Sequence, residues 1–121
     1  VVARWAFVFN LPCYGWGLPL TPDAVGTDGI LDLCAFSGRS LLAGLRYVAG
    51  AQFGARHRGM ADCQMGRGRR FRITSEDPVA YQLDGDPGGQ LPVDVEILPD
   101  RLTLVVPPQV VKNLTGSRSG E

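Results

Sequence analysis

The sequence predicts a mainly β domain, either a sandwich or an open barrel, with one short α-helix. Glycine and proline are frequent, at 16 and 9 of 121 residues, which favours turns and short strands over long helices. Short runs rich in aromatic and branched apolar residues recur between these turns, and only one stretch has apolar residues at helical spacing. The length suffices for one domain with a modest core.

The predicted strands follow one another along the chain, and turn residues separate them. Trp5, Phe7 and Phe9 make the first run aromatic, as expected for a buried strand. A loop rich in glycine and proline covers residues 12–22, and Asp28-Gly29 predicts the turn before the second strand. We predict strands over residues 4–10, 30–36, 69–74, 79–83, 93–98 and 102–106.

A single helix is predicted between the second and third of these strands. Ser40 is a good N-cap, and Gly50 or Gly54 can end the helix. Five apolar side chains recur on one side of it, and we predict that this stripe packs on the core. They are Leu41, Leu42, Leu45, Val48 and Ala49.

The charges cancel over the whole chain but are segregated along it. Eight arginines lie between Arg39 and Arg72 against one carboxylate, Asp62, whereas seven carboxylates and no basic residue lie over 76–100. This indicates either two solvated faces or a basic surface that contacts anionic lipid or phosphate. No nucleic-acid-binding motif accompanies the arginines, so no nucleic-acid partner is expected. No apolar run is long enough for a membrane-spanning helix.

Cys13, Cys34 and Cys63 form neither an even set nor a CxxC unit, which favours free structural thiols in a reducing cytoplasm. His57 is the only histidine, and no cysteine or serine has a histidine near it in sequence. Nucleophilic catalysis of the Ser-His or Cys-His kind is therefore poorly supported.

Two Asp-Gly turns carry the candidate chemistry. Asp28, in a loop with free backbone carbonyls, can help to hold a hard cation such as Mg²⁺ or Ca²⁺, although a plain turn explains the same pattern. Asp84-Gly85-Asp86 places two carboxylates in a glycine-rich turn. One of them could act as a general base on a hydroxyl, although such a turn by itself is usually only a hairpin.

The order of these segments is more specific than any one of them. The run NLPCYGWGLPLTPDAVGTDGILDL from Asn10 precedes a helix and an arginine-rich strand, and YQLDGDPGG at 81–89 and VEILPDRLTLVVPP at 95–108 follow. This order resembles the diacylglycerol kinase and sphingosine kinase superfamily, which includes the bacterial YegS-like lipid kinases. The resemblance covers nearly all of 4–108.

The resemblance implies the fold and the site. It implies the β-sandwich of the NAD kinase and diacylglycerol kinase C-terminal kind, which receives the lipid, whereas an N-terminal domain of the same chain binds ATP through a Gly-Gly-Asp-Gly-Thr loop that this sequence lacks. Asp86, in place of the family's glutamate, is then the proton acceptor for the lipid hydroxyl. Asp84 and Gly85 organise its turn. The family's structural cation site, for Mg²⁺ or Ca²⁺, falls on Asp28 with Val25 and Ile30.

From this resemblance we expect residues 1–111 to form part of a lipid-kinase sandwich, incomplete at its N-terminal side, and 112–121 to form a flexible tail. The expected partners are a lipid substrate resembling diacylglycerol or sphingosine, the ATP-binding domain and an anionic membrane surface, for a cytoplasmic enzyme peripheral to the membrane. The chain alone is expected to be inactive. The alternative is a non-catalytic sandwich that binds lipid, a membrane or a divalent cation.

Overall fold

The computed structural model describes residues 1–98, 103, 105 and 107. Over these residues the chain forms seven strands in three antiparallel sheets, with one α-helix. The predicted mainly β, sandwich-like class is confirmed. The predicted tail over 112–121 lies outside the described residues, and so do residues 102, 104 and 106 of the predicted strand over 102–106.

The largest sheet contains three antiparallel strands, β1 (Trp5–Phe9), β2 (Leu31–Phe36) and β3 (Cys63–Gly68), in the order β1-β2-β3. The central strand β2 is buried along almost its whole length, because it is covered by a strand on each side and by the helix on one face. The edge strand β1 was predicted to be buried, but its first half is exposed, and the Trp5 side chain retains 56% of its accessible surface.

The helix α1 (Leu41–Gln52) begins as predicted. Ser40 is extended, and its Oγ accepts a hydrogen bond from the Ala43 N–H at 3.1 Å. Gly50 does not end the helix; it is buried inside it, and a Cβ at this position would lie 3.0 Å from the backbone nitrogen of His57. Gly54 lies just beyond the helix at a φ of 81°, as a helix-terminating glycine does.

The prediction for the apolar stripe of α1 is wrong. The helix packs on the sheet through Tyr47, Gly50 and Ala51, and the five predicted core residues are all exposed. Small residues bring the helix backbone close to the sheet, and Tyr47 stacks on Phe36 with 4.1 Å between ring centroids. Hydrophobicity alone did not identify the buried face, because close approach needs small side chains as well as apolar ones.

The core lies between α1, the sheet and the loop before β2. It consists of six buried residues, namely Leu20, Cys34, Phe36, Tyr47, Ala51 and Cys63. His57 is completely buried beside it, in a 3₁₀ turn over Arg56–Gly59, and its Nε2 lies 2.9 Å from the carbonyl oxygen of Leu20. All three cysteines are free thiols, as predicted.

Two small sheets follow. Strand β4 (Arg70–Ile73) pairs with β7 (Val93–Glu96), and β5 (Ala80–Leu83) pairs with β6 (Asp86–Gln90). Along β4 exposed arginines alternate with half-buried apolar residues. Strands β3 and β6 were not predicted, because neither contains a β-branched or aromatic residue and both contain glycine.

Candidate functional site

The hairpin of β5 and β6 carries the predicted catalytic residue. Leu83 pairs with Asp86, so that the turn contains only Asp84 and Gly85. Their φ angles are 50° and 100°, as a two-residue hairpin turn with both residues at positive φ requires. Asp86 was predicted to lie within the turn, and it lies just outside it. Asp84 and Gly85 form the turn as expected, and Asp86 is the first residue of a strand.

A bulge follows directly in β6. Tyr81 pairs with Gly89 and Gln82 pairs with Pro87, so Gly88 is an extra residue without a partner in β5. A Cβ on Gly88 would overlap the ring of Tyr81, and Gly89 has a φ of 128°. Glycine at position 88 thus leaves room for the aromatic ring, and glycine at position 89 permits the positive φ. The bulge bends the hairpin close to Asp86.

The hairpin is attached to the loop after β1 by a side-chain hydrogen bond. Gln82 Nε2 donates to Tyr14 Oη at 2.7 Å. Tyr14 packs against Phe7 and Phe9, with 5.9 and 5.8 Å between ring centroids. The Gln82–Tyr14 hydrogen bond therefore links the hairpin that carries Asp86 to the main sheet, on which Tyr14 packs.

The Tyr14 loop also presents an exposed aromatic side chain. Tyr14 and Leu18 exchange backbone hydrogen bonds of 2.8 and 2.9 Å, which closes the loop. At its tip Trp16 has a φ of 56° and is fully exposed. A tryptophan in this conformation and exposure is uncommon, because its bulk disfavours positive φ.

Register decides which way Asp86 points. Directly opposed residues of antiparallel strands share a face, so Asp86 lies on the face of Leu83, and Pro87 lies on the face of Gln82. The Gln82 face contacts Tyr14, which leaves Asp86 and Leu83 on the other face, and both are exposed. A carboxylate and an apolar side chain are therefore presented together to whatever approaches the hairpin.

The predicted cation site forms a separate cluster at the start of β2. Asp28 Oδ1 accepts a hydrogen bond from the Ile30 N–H at 2.9 Å, and the Val25 carbonyl accepts one from the Asp28 N–H at 3.1 Å. The three predicted residues thus lie together in one turn. The other carboxylate oxygen of Asp28 is 2.6 Å from the guanidinium of Arg67 on β3.

Arg67 also binds a second carboxylate, that of Asp32, at 3.0 Å. The pairing of Asp32 with Arg67 across β2 and β3 puts the two side chains opposite each other. The pKa of Asp32 is raised, chiefly by burial and further by the charges of Asp28 and Asp23, and the Arg67 charge and hydrogen bond offset only part of this. Asp32 Oδ2 is buried and has no hydrogen-bond partner among the described residues. The pair of aspartates therefore carries more negative charge than the one arginine offsets.

A divalent cation at Asp28 stays a prediction. In the structure Arg67 supplies the positive charge next to this carboxylate, and the Val25 carbonyl is already an acceptor within the turn. No group of three or more histidine, cysteine or acidic side chains able to hold a metal occurs in the described part of the chain. A cation would share Asp28 with the guanidinium, since each carboxylate oxygen can accept more than one partner.

Within residues 1–98, no hydrogen bond or ion pair joins the hairpin that carries Asp86 to the turn that carries Asp28. Sequence reasoning did not identify Gln82, Tyr14, Arg67 or Asp32 as partners in these clusters. The sequence offered one signal for these residues, which is that all four lie in or beside the motifs that resemble those of the lipid kinases. Their contacts join residues up to 68 positions apart, which spacing along the chain does not reveal.

The architecture and the hairpin define a mainly β, sandwich-like domain that presents a carboxylate beside a tight turn. The family model of the YegS C-terminal NAD kinase β-sandwich-like domain matches residues 1–106, and the chain belongs to this family. This membership gives the chain a lipid-kinase context, and the predicted resemblance is confirmed. No curated protein matches the chain. None of the helices among the described residues is long and apolar enough to cross a membrane.

Proposed function

We propose that the chain is the lipid-substrate half of an ATP-dependent lipid kinase and that Asp86 is its general base. The observation that supports this proposal is the β5–β6 hairpin. A two-residue turn fixes the backbone at Asp86, and the bond between Gln82 and Tyr14 fixes the hairpin against the main sheet. A catalytic carboxylate needs such fixed placement, because small errors of position greatly reduce the rate.

The proposed reaction is phosphoryl transfer to a lipid hydroxyl. The hydroxyl oxygen forms a bond to the γ-phosphorus of ATP, the bond from that phosphorus to the β,γ-bridging oxygen breaks, and ADP leaves. The hydroxyl proton passes to a carboxylate oxygen of Asp86. The protein mainly has to position the reactants and offset charge in such a transfer. ATP and its Mg²⁺ belong to the N-terminal domain of the proposed enzyme, and Mg²⁺ would offset the charge of the moving phosphoryl group.

The surroundings of Asp86 suit a lipid acceptor. Leu83 lies on the same face as Asp86 and is 59% exposed. Acyl or alkyl chains would bury apolar surface against such a side chain, which contributes a favourable free energy of about 25 cal/mol for each Å² removed from water. A diacylglycerol-like or sphingosine-like lipid offers a hydroxyl beside such chains.

The test is the Asp86→Asn substitution in the whole enzyme, where the chain is joined to its ATP-binding domain. We expect kcat to fall by about 10²- to 10⁴-fold, because asparagine cannot accept the proton. The lipid KM and the melting temperature should change little, since the Asp86 side chain is exposed. The measurement is ATP-dependent phosphorylation of a short-chain diacylglycerol and of sphingosine.

Asp84→Asn is the matched control, because it removes a carboxylate from the same turn and asparagine also tolerates positive φ. It should retain kcat within a few-fold. If Asp86→Asn keeps the wild-type kcat, or if the two variants lose equal activity, Asp86 is not the base. If the wild-type enzyme phosphorylates neither lipid, the proposed function is wrong as a whole.

A further inference from the structure

The solvent-facing side of α1 is apolar. Leu41 retains 91% of its accessible surface, Leu45 retains 68% and Phe53, just after the helix, retains 69%. Leu42 and Val48 are exposed as well. These five residues are called the α1 stripe below. A helix that covers a core normally shows charged and polar residues on its outer side, so a stripe of this kind indicates a contact surface.

The stripe is continuous along the helix. Positions 41, 45 and 48 lie one above another at the helical repeat, and 42 and 53 extend the patch on one flank. The buried residues Tyr47, Gly50 and Ala51 lie on the opposite side. The stripe is therefore not a part of the core that is loosely covered. It is a second apolar face, and no described residue packs over it closely enough to bury it.

The charge around the stripe is positive. No carboxylate occurs from residue 33 to residue 61, whereas Arg39 precedes the helix, Arg46 lies on its flank and Arg56 follows it. Asp62 is the first carboxylate after the helix, and Arg46 and Tyr47 already bind it. Within the described part of the chain, Arg39 and Arg56 have no ion pair.

We propose that α1 lies in the interface of an anionic membrane. The side chains of Leu41, Leu45 and Val48 would enter the boundary between headgroups and acyl chains, where interfacial helices bury about 5–10 Å of their apolar face. Arg39 and Arg56 would contact lipid phosphates at the two ends of the helix. Arginine binds phosphate through its planar set of donors, which makes these contacts directional as well as electrostatic.

The charge pattern favours a membrane over a second copy of the chain. A symmetric dimer through α1 would place the same face of two copies together, and with it the arginines of both. Asp23, Asp28, Asp32 and Asp62 already pair with other arginines, and the remaining described carboxylates lie between residues 76 and 96, beyond the helix in sequence. An anionic lipid surface offers both an apolar layer and a phosphate layer, which match the leucines and the arginines respectively.

This inference deepens the proposed function, because a kinase for a bilayer lipid must dock where its substrate lies. The membrane contact does not involve Asp86, so the membrane proposal and the proposed function can fail separately. Asp86→Asn should bind vesicles as the wild type does. An enzyme that loses vesicle binding but still phosphorylates a water-soluble short-chain diacylglycerol would retain the proposed function.

The test is flotation of the 121-residue chain with vesicles of phosphatidylcholine alone and with about one-third phosphatidylglycerol. We expect binding to the anionic vesicles that weakens as salt is raised. The double variant Leu41→Ser and Leu45→Ser should bind at least about tenfold more weakly, because two exposed leucines no longer enter the interface. The matched control, Val79→Ser with Leu98→Ser, removes two exposed apolar side chains outside α1 and should bind like the wild type.

A second pair of variants tests the arginines. Arg39→Gln with Arg56→Gln should lower the affinity for anionic vesicles by roughly thirtyfold at low salt, since each basic residue near the surface contributes about a fivefold factor. Arg70→Gln with Arg72→Gln makes the same change in net charge on β4, where both arginines pair with Asp94. This control should bind within a few-fold of the wild type.

Three results would overturn the inference. One is equal flotation with neutral and anionic vesicles or with neither. Another is equal binding of the variant with both α1 leucines replaced and of its matched control. The third is a wild-type dimer by light scattering that the leucine variant converts to a monomer without any change in vesicle binding, which would assign the stripe to a second copy. Circular dichroism and thermal melting establish that each variant is folded before it is compared.

Discussion

Tyr47 connects the core to a polar cluster at the surface. Its ring stacks on Phe36, its hydroxyl donates to Asp62 at 2.5 Å and it accepts from the Gly38 N–H at 2.9 Å. Arg46 pairs with the same carboxylate. The hydrogen bond from Tyr47 is the main reason that the pKa of Asp62 is lowered, and the same bond raises the pKa of Tyr47. One tyrosine therefore joins the helix, the end of β2 and the segment before β3.

The lowered pKa of Asp62 makes stability depend on pH. A carboxyl group whose pKa is lower in the folded chain stabilises it above the unfolded value of about 4, and this stabilisation is lost as the pH falls through the folded value. As the pH is lowered below about 4, we expect the urea midpoint of the wild type to fall more than the urea midpoint of Asp62→Asn. The measurement is urea unfolding from pH 6 down to about pH 3.

Tyr47→Phe should reduce the same pH dependence, because it removes the hydrogen bond with the largest effect on Asp62. Asp77→Asn, at an exposed position, is the control and should behave like the wild type. Parallel curves for the wild type and Asp62→Asn below pH 4 would show that this carboxylate does not couple to folding.

The cysteines should differ sharply in reactivity. Burial raises the pKa of Cys34 to about 12 and raises that of Cys63, whereas Cys13 is exposed. The thiolate is the reactive form, so a disulfide reagent at pH 8 should modify one thiol quickly in the folded chain and all three in urea. Cys13→Ser should abolish the fast phase. A fast phase of more than one thiol per chain would contradict the burial of the other two.

At the scale of elements, α1 has a sharply defined start. Its first turn has no acidic residue, so the Ser40 side chain is the only polar group recorded as capping it in the described residues. We expect Ser40→Ala to lower the free energy of unfolding by about 1 kcal/mol, because an N-terminal amide loses its acceptor. Chemical denaturation measures this change. Ser40→Asp should retain the stability, and equal losses for both substitutions would show that the cap contributes nothing.

The hairpin and α1 illustrate what can be read from a pattern. The positive φ angles at Asp84 and Gly85 follow from the Asp-Gly pair itself, and the start of α1 follows from Ser40. The sequence also indicated six of the described elements, β1, β2, α1, β4, β5 and β7, close to their observed bounds. These decisions are local, since a turn or a cap involves only a few consecutive residues.

Strands β3 and β6 form because of their neighbours. Gly66 and Gly68 of β3 lie beside Leu33 and the ring of Phe71, and Gly88 of β6 leaves space for Tyr81. These glycines weaken the local preference for a strand, and pairing and packing override it. A prediction from composition therefore places turns where the folded chain has strands.

At the scale of the whole molecule, the candidate site is assembled from distant parts of the chain. Gln82 reaches Tyr14, and Arg67 reaches both Asp28 and Asp32. The family match over 1–106 agrees with the order of motifs that first indicated a lipid kinase. The catalytic role of Asp86, the cation at Asp28 and the membrane contact of the α1 stripe remain proposals with separate tests.

The amino-acid sequence by itself determined the fold class, the turn before Asp86, the cap of α1 and the family, because each depends on neighbouring residues or on their order. Only the tertiary structure decided that α1 turns its small residues inward and its leucines outward. It also decided that Arg67 lies against Asp28 and that Asp86 and Leu83 share the exposed face of the hairpin. These outcomes depend on how closely distant segments can approach, which is a property of the packed chain and not of any single stretch.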